Sequence, residues 1–187
     1  YPAADRTTEF DRIVTIKYIY PELPIIVILN PHNGPGKYSE DYDNLIKKYA
    51  ILGISTIGYI YADYANRDLE VIYNEIDLFK ELYPELDGFF IDEVDDGGNF
   101  EYYKAIYDYA DDLDFLVGNP GTEVELEYYD VFNIVIIAEK KYSSLDKEYF
   151  DNESFDMIAP FQKGVITHQV DDELGAIWLA DHVNWLY

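Results

Sequence analysis

Seven short runs of mostly apolar residues recur along the chain, at Ile25–Leu29, Ile54–Ile60, Gly88–Ile91, Leu113–Val117, Val131–Ile137, Val165–Thr167 and Gly175–Leu179. They are rich in β-branched and aromatic side chains and too short for typical helices, which is the pattern of strands buried in a parallel sheet. Between them the period changes. Tyr42, Leu45, Ile46, Tyr49 and Ala50 fall on one face of a helix, as do Leu69, Ile72, Ile76, Phe79 and Tyr83, and then Phe100, Tyr103, Tyr107 and Ala110. Asp68 is placed to cap the second of these helices, and Pro84 and Gly88 punctuate its exit.

Strands that alternate with helices build a parallel sheet, either open and doubly wound or closed as a (β/α)8 barrel. Neither G-x-G-x-x-G nor G-x-x-x-x-G-K-[ST] occurs, and the turn at Gly34, Pro35 and Gly36 lacks the Lys-Ser/Thr that would hold phosphate and metal. The expectation is therefore an α/β fold, a short (β/α)8 TIM-type barrel. No linker, low-complexity tract or close internal repeat divides the 187 residues, so residues 1–187 read as a single domain.

Charge narrows the function classes. The chain has 38 acidic and 13 basic residues, a formal net charge of −25, with no Lys/Arg cluster to offset it locally. Such a surface repels phosphate backbones and argues against nucleic acid, whereas a cationic polymer would suit it. Having no cysteine, the chain has no disulfide, thiolate metal site or cysteine nucleophile. No apolar run approaches the ~20 residues of a membrane span. His32, His168 and His182 lack zinc-motif spacing, and the loop Asp95–Asn99 lacks the acids of a calcium-binding EF-hand, so neither metal nor cofactor is expected.

In a barrel the chemistry sits at the C-terminal ends of the strands. The first polar residues there are Asn30, Asp63, Asp92 with Glu93, Asn119, Glu139, His168 and Asp181. Each could cap the helix that follows, but together they form a set of acids and amides suited to sugar hydroxyls and proton transfer. Adjacent Asp92 and Glu93 face mutual repulsion and partial desolvation, and Glu139 ends another strand. Two carboxyl groups across a groove are the apparatus of glycoside hydrolysis. Tyr59, Tyr61 and Tyr64 flank Asp63 and offer rings for stacking on sugar faces.

Several motifs, in order, resemble the spherulation-specific family 4 (spherulin-4-like) proteins. They are Asn30–Gly36, Gly58–Tyr64 with Arg67, Asp87–Glu93, Gly118–Thr122 and the strand ending in Glu139, with Trp178–Asp181 resembling the family's last strand. The resemblance implies a barrel related to glycoside hydrolase family 135, whose members cleave α-1,4-linked galactosamine and N-acetylgalactosamine polymers. It implies Asp92, Glu93 and Glu139 as catalytic residues, with Glu93 or Asp92 as acid and Glu139 as base or nucleophile. Asn30, Tyr59, Asp63, Arg67 and Asn119 match motif positions that line the same opening. Tyr61, Tyr64, His168 and Asp181 complete the expected substrate-binding set.

An extracellular or cell-surface location and a cationic or amino-sugar polysaccharide as partner follow from the same resemblance. Family members begin with a strand ending in a Tyr-x-Tyr-Pro-like sequence, of which this chain has only Tyr1 and Pro2. The expected barrel therefore has its first strand truncated or missing, which exposes two sheet edges to self-association. That motivates an alternative function, a non-catalytic structural subunit of an extracellular filament or oligomer, or a carbohydrate-binding protein, on the same scaffold.

Overall fold

The computed structural model describes residues 8–110, 113–145, 147–150, 157–168, 178–179 and 181–187. Seven strands, β1 (Ile26–Leu29), β2 (Ser55–Tyr61), β3 (Gly88–Asp92), β4 (Phe115–Asn119), β5 (Ile134–Lys141), β6 (Lys163–His168) and β7 (Trp185–Leu186), form one sheet in that spatial order. Every neighbouring pair is parallel. Helices α1 (Glu9–Ile19), α2 (Glu40–Leu52), α3 (Leu69–Leu82) and α4 (Phe100–Tyr109) precede β1 to β4 in turn. None is long and apolar enough to cross a membrane.

The helix ends follow from local chemistry. The Ser39 side chain accepts from the Tyr42 N–H at the start of α2, where Glu40, Asp41 and Asp43 face the positive end of the helix dipole. Gly53, at φ 68°, ends that helix in the left-handed conformation that glycine adopts without a Cβ clash. Asp68 accepts from the Glu70 N–H and caps α3 as its sequence predicts.

Alternation along the strands produces two cores. Ile57, Phe90, Val117, Ile134 and Ile136 point to the inner face, while Leu29, Ile60, Phe89, Ile91 and Leu116 point outward against the buried stripes of α2, α3 and α4. The inner side chains leave an apolar cavity of about 70 Å³, walled at one side by Ile26 and Ile28 of β1 and at the other by Trp185 and Leu186 of β7. The sheet is thus curled so that its first and last strands face one cavity.

It is not closed. Among the described residues β1 and β7 are not hydrogen-bonded to each other, so the expected (β/α)8 barrel is an open, seven-stranded partial barrel. The reason is local: β1 offers four residues and β7 two, and among the described residues no strand lies between them. The proposed stub at Tyr1 and Pro2 lies outside the described residues. A second correction concerns the strand expected at Gly175–Leu179. Trp178 and Leu179 form part of a helical turn, and the last strand begins only at Trp185; residues 175–177 are outside the described set.

Candidate active site

The period-2 alternation that fills the inner face with Ile57, Phe90 and Val117 continues upward to Tyr59, Asp92 and Asn119, so an apolar floor gives way to a polar rim at the C-terminal ends of β2, β3 and β4. Register brings Asp92 directly beside Asn119. The Asn119 amide nitrogen donates to Asp92 Oδ1 at 2.8 Å and also to Glu139 Oε2 at 2.9 Å. One amide therefore ties together two carboxylates from different strands. Asn119 is 5% exposed, and its Oδ1 has no partner among the described residues. Turning the amide over would set that oxygen against two carboxylates, which fixes its orientation.

Glu139 reaches this position because of a register shift. Ile136 pairs with Gly164 and Ala138 with Val165, leaving Ile137 as an extra residue in β5. Before this bulge Ile134 and Ile136 face inward; beyond it the parity flips, and Glu139 is registered against inward-facing Ile166. Bulges commonly re-aim a side chain in this way beside functional sites.

Asp92 accepts on both oxygens, the second time from the Tyr59 hydroxyl at 2.6 Å. Burial, reinforced by that hydrogen bond, pushes the Tyr59 phenol well above its ordinary range, so it remains a donor. Glu93 differs. Its backbone is left-handed (φ 55°) and its carbonyl accepts from the Tyr64 N–H at 2.8 Å, but its carboxylate makes no hydrogen bond or ion pair among the described residues. Asp63, Tyr64 and Ala65 are also left-handed (φ 49°, 53° and 63°), a run of backbone strain at the rim. Its tip presents Tyr64, 57% exposed.

Arg67 anchors that turn from behind. Its guanidinium makes two hydrogen bonds to Glu75, of 2.6 and 3.1 Å, donates to the Tyr61 carbonyl at 2.6 Å and lies 4.0 Å from the Tyr61 ring centroid. Burial opposes its charge, but Glu75 outweighs burial and holds Arg67 above its ordinary range. Arg67 is thereby a clamp on the loop, with Tyr61 beneath it, rather than a free cation facing substrate. Glu75 escaped the sequence reading, although a carboxylate next to Ile76 on the apolar stripe of α3 signals a buried partner.

The remaining expected residues are dispersed. Asn30, exposed at the end of β1, accepts the Gly34 N–H at 3.2 Å and shapes its own loop. His168 ends β6 and is exposed. Asp181 is displaced from the rim: it precedes β7, whose adjoining Asn184 donates to Pro160 ahead of β6, so it lies toward the opposite end of the sheet. The shift follows directly from the later start of the last strand. In the Asp95–Asn99 loop, Asp95 accepts from the Tyr128 hydroxyl at 2.6 Å and from the Asn99 side chain, which ties the turn down.

Gly121 supports Glu139. It adopts φ +65°, its carbonyl accepts the Glu139 N–H, and a Cβ there would stand 3.3 Å from the Glu139 Cβ. Gly121→Ala is expected to cost about 1–2 kcal/mol through left-handed strain and to push Glu139 off its amide. Thermal unfolding checks the first effect, and loss of ligand binding or turnover the second.

The sequence matches the spherulation-specific family 4 model over residues 1–184. The chain belongs to this family. Spherulin-4 from Physarum polycephalum is 29% identical over 131 residues, which are 67% of this chain but 40% of spherulin-4; the chain thus spans less than half of that relative. A crystal structure of Aspergillus clavatus Sph3 in complex with GalNAc superposes with a TM-score of 0.84 at 20% identity, covering 100% of this chain and 84% of Sph3. The shared fold places this spherulation-specific family 4 chain among TIM-like architectures even though its own sheet is open.

Proposed function

We propose that the chain is a glycoside hydrolase acting on α-1,4-linked galactosamine or N-acetylgalactosamine polysaccharide, with Asp92, Glu93 and Glu139 as its acidic machinery. The observation that carries this reading is the carboxylate set at the rim: Asp92 and Glu139, joined by Asn119, with Glu93, unpaired among the described residues, next in sequence to Asp92. Asp92, saturated by Tyr59 and Asn119, serves as a fixed acceptor. Glu93, whose carboxylate has no hydrogen bond or ion pair among the described residues, protonates the leaving oxygen, and Glu139, held by one oxygen, supplies the base or nucleophile. Tyr59, Tyr61, Asp63 and Tyr64 line the sugar path, Asn30 and His168 border it, and Arg67 keeps the Tyr64 turn in place. An amino-sugar bound by the Sph3 structure supports the substrate class, and an extracellular or cell-surface setting suits it.

The test is incubation of the folded protein with a partly deacetylated α-1,4-galactosamine polymer, read by new reducing ends, beside Glu93→Gln. No product from the parent would overturn the reading. A partly deacetylated polymer is cationic, so the −25 charge steers it to the rim. Apparent kcat/KM is therefore expected to fall several-fold between about 10 and 150 mM salt, as the Debye length shortens, and to vary little with salt for a fully acetylated polymer.

The two sheet edges unpaired among the described residues, β1 and β7, favour a second reading, a sugar-binding or structural subunit without turnover. Saturable polymer binding without cleavage would select it.

A further inference from the structure

Glu139 stands at the rim only because Ile137 is an extra residue in β5. Pairing passes from Ile136 opposite Gly164 to Ala138 opposite Val165, and then to Glu139 opposite Ile166 and Lys140 opposite Thr167. The same residues could instead pair without a bulge. Ile137 would then stand opposite Val165, Glu139 would move opposite Thr167 onto the outer face, and Lys140 would come opposite His168 on the inner face. This one-residue slip exchanges the rim carboxylate for an ammonium group. The position of Glu139 therefore depends on what holds the bulged register.

Tyr149 grips the segment on both sides of Glu139. It lies on α5 (Lys147–Phe150), a single turn anchored by buried Phe150, whose ring meets Trp178 edge-on at 5.6 Å. The Tyr149 hydroxyl donates to the Ile137 carbonyl at 2.5 Å, and the Lys140 ammonium sits 4.3 Å from the centroid of the Tyr149 ring. Both contacts belong to the bulged register. The hydroxyl serves a carbonyl of the residue left out of the ladder, and the slip would carry Lys140 to the opposite face of the sheet, away from the ring. Burial raises the Tyr149 phenol above its ordinary range, so the hydroxyl keeps its proton. Two more contacts fit the same register: the Glu139 N–H donates to the Gly121 carbonyl at 3.2 Å, and the Thr167 hydroxyl to the Lys140 carbonyl at 3.0 Å.

We propose that Tyr149 is a positioning residue for Glu139: through Ile137 and Lys140 it holds β5 in the bulged register that sets the Glu139 carboxylate on the Asn119 amide. The inference rests on Glu139 being the base or nucleophile proposed above. Tyr149 acts from the outer core of the sheet, through the strand.

Tyr149→Phe keeps the ring and loses the hydroxyl, whereas Tyr149→Leu loses both grips. Tyr129→Phe is the matched control, because the buried Tyr129 hydroxyl has no partner among the described residues. On the polymer, Tyr149→Phe is expected to lower kcat about tenfold and Tyr149→Leu about 100-fold, with KM within about twofold of the parent. Neither should recover on an aryl glycoside with an acidic leaving group, since the displaced group is not the acid. Tyr129→Phe should match the parent.

Nuclear magnetic resonance reads the placement without turnover. In Tyr149→Phe the Asn119 side-chain NH₂ and the Glu139 amide should shift and exchange at least about tenfold faster, while amides of α2 and α3 keep parent rates. Parent-like kcat with parent-like Asn119 and Glu139 resonances in both Tyr149 variants would overturn the proposal. So would exchange accelerated equally across the fold, or an equal loss in Tyr129→Phe. A parent without turnover removes the hydrolase reading alone, and the resonances then still decide whether Tyr149 sets Glu139 on Asn119.

Discussion

Glu93→Gln is expected to reduce polymer hydrolysis by on the order of 10²–10⁴-fold, the usual worth of a positioned general acid. The substitution keeps the size and shape of the side chain. It breaks no hydrogen bond or ion pair among the described residues, because the Glu93 carboxylate makes none, and the backbone contact from Tyr64 to the residue 93 carbonyl is untouched. Folding and KM should therefore stay close to the parent, with the loss confined to kcat. Substrate chemistry then separates the two glutamates. An aryl glycoside with an acidic leaving group needs little protonation, so Glu93→Gln should recover much of its rate there. Glu139→Gln should remain inactive on both substrates, because base or nucleophile is required whatever departs. Equal activity of Glu93→Gln and parent on the polymer would remove Glu93 from the acid role.

The layout of this site was legible where it depends on periodicity. The short apolar runs Gly88–Ile91 and Leu113–Val117 predict buried strands, with Asp92 and Asn119 among the first polar residues after them, and register places the two side by side. The stripes at Tyr42–Ala50, Leu69–Tyr83 and Phe100–Ala110 correspond to α2, α3 and α4 because burial on one face enforces the 3.6-residue spacing, although Ala50 and Tyr107 are exposed and α4 buries Ile106 beside Tyr103. Where burial comes from elsewhere, the pattern misleads. Gly175–Leu179 looks like a strand, yet Leu179 is fully buried from a helical turn and the Trp178 ring packs on Phe150 and His182. Apolar content was satisfied there without sheet pairing, which moved Asp181 away from the rim. Helix α1 was invisible because its apolar residues are only partly buried, leaving no clean stripe. The bulge at Ile137 has no sequence signature, since one extra β-branched residue in an apolar run looks like its neighbours.

Asn119→Asp is the substitution expected to damage stability most, and its effect should depend on pH in a defined direction. In the parent, one buried NH₂ group satisfies Asp92 and Glu139 together. The variant replaces those donors with an oxygen about 3 Å from two other carboxylates, an uncompensated buried charge of the kind that costs ~3–5 kcal/mol. For a chain of this size that is a fall in Tm on the order of 10 °C. Repulsion and burial both raise the folded-state pKa of the introduced carboxyl above its unfolded value. Its folded state consequently binds the proton more tightly than the unfolded state does, so the penalty is full above the folded pKa and fades as pH falls through it. A protonated carboxyl also regains an O–H donor for one neighbour. The Tm deficit against the parent should then shrink between pH 7 and pH 4, whereas Asn119→Leu, which has no proton to gain, should show no comparable recovery. A deficit for Asn119→Asp that stays constant with pH, or is absent at pH 7, would mean that the amide does not hold the two carboxylates together in solution.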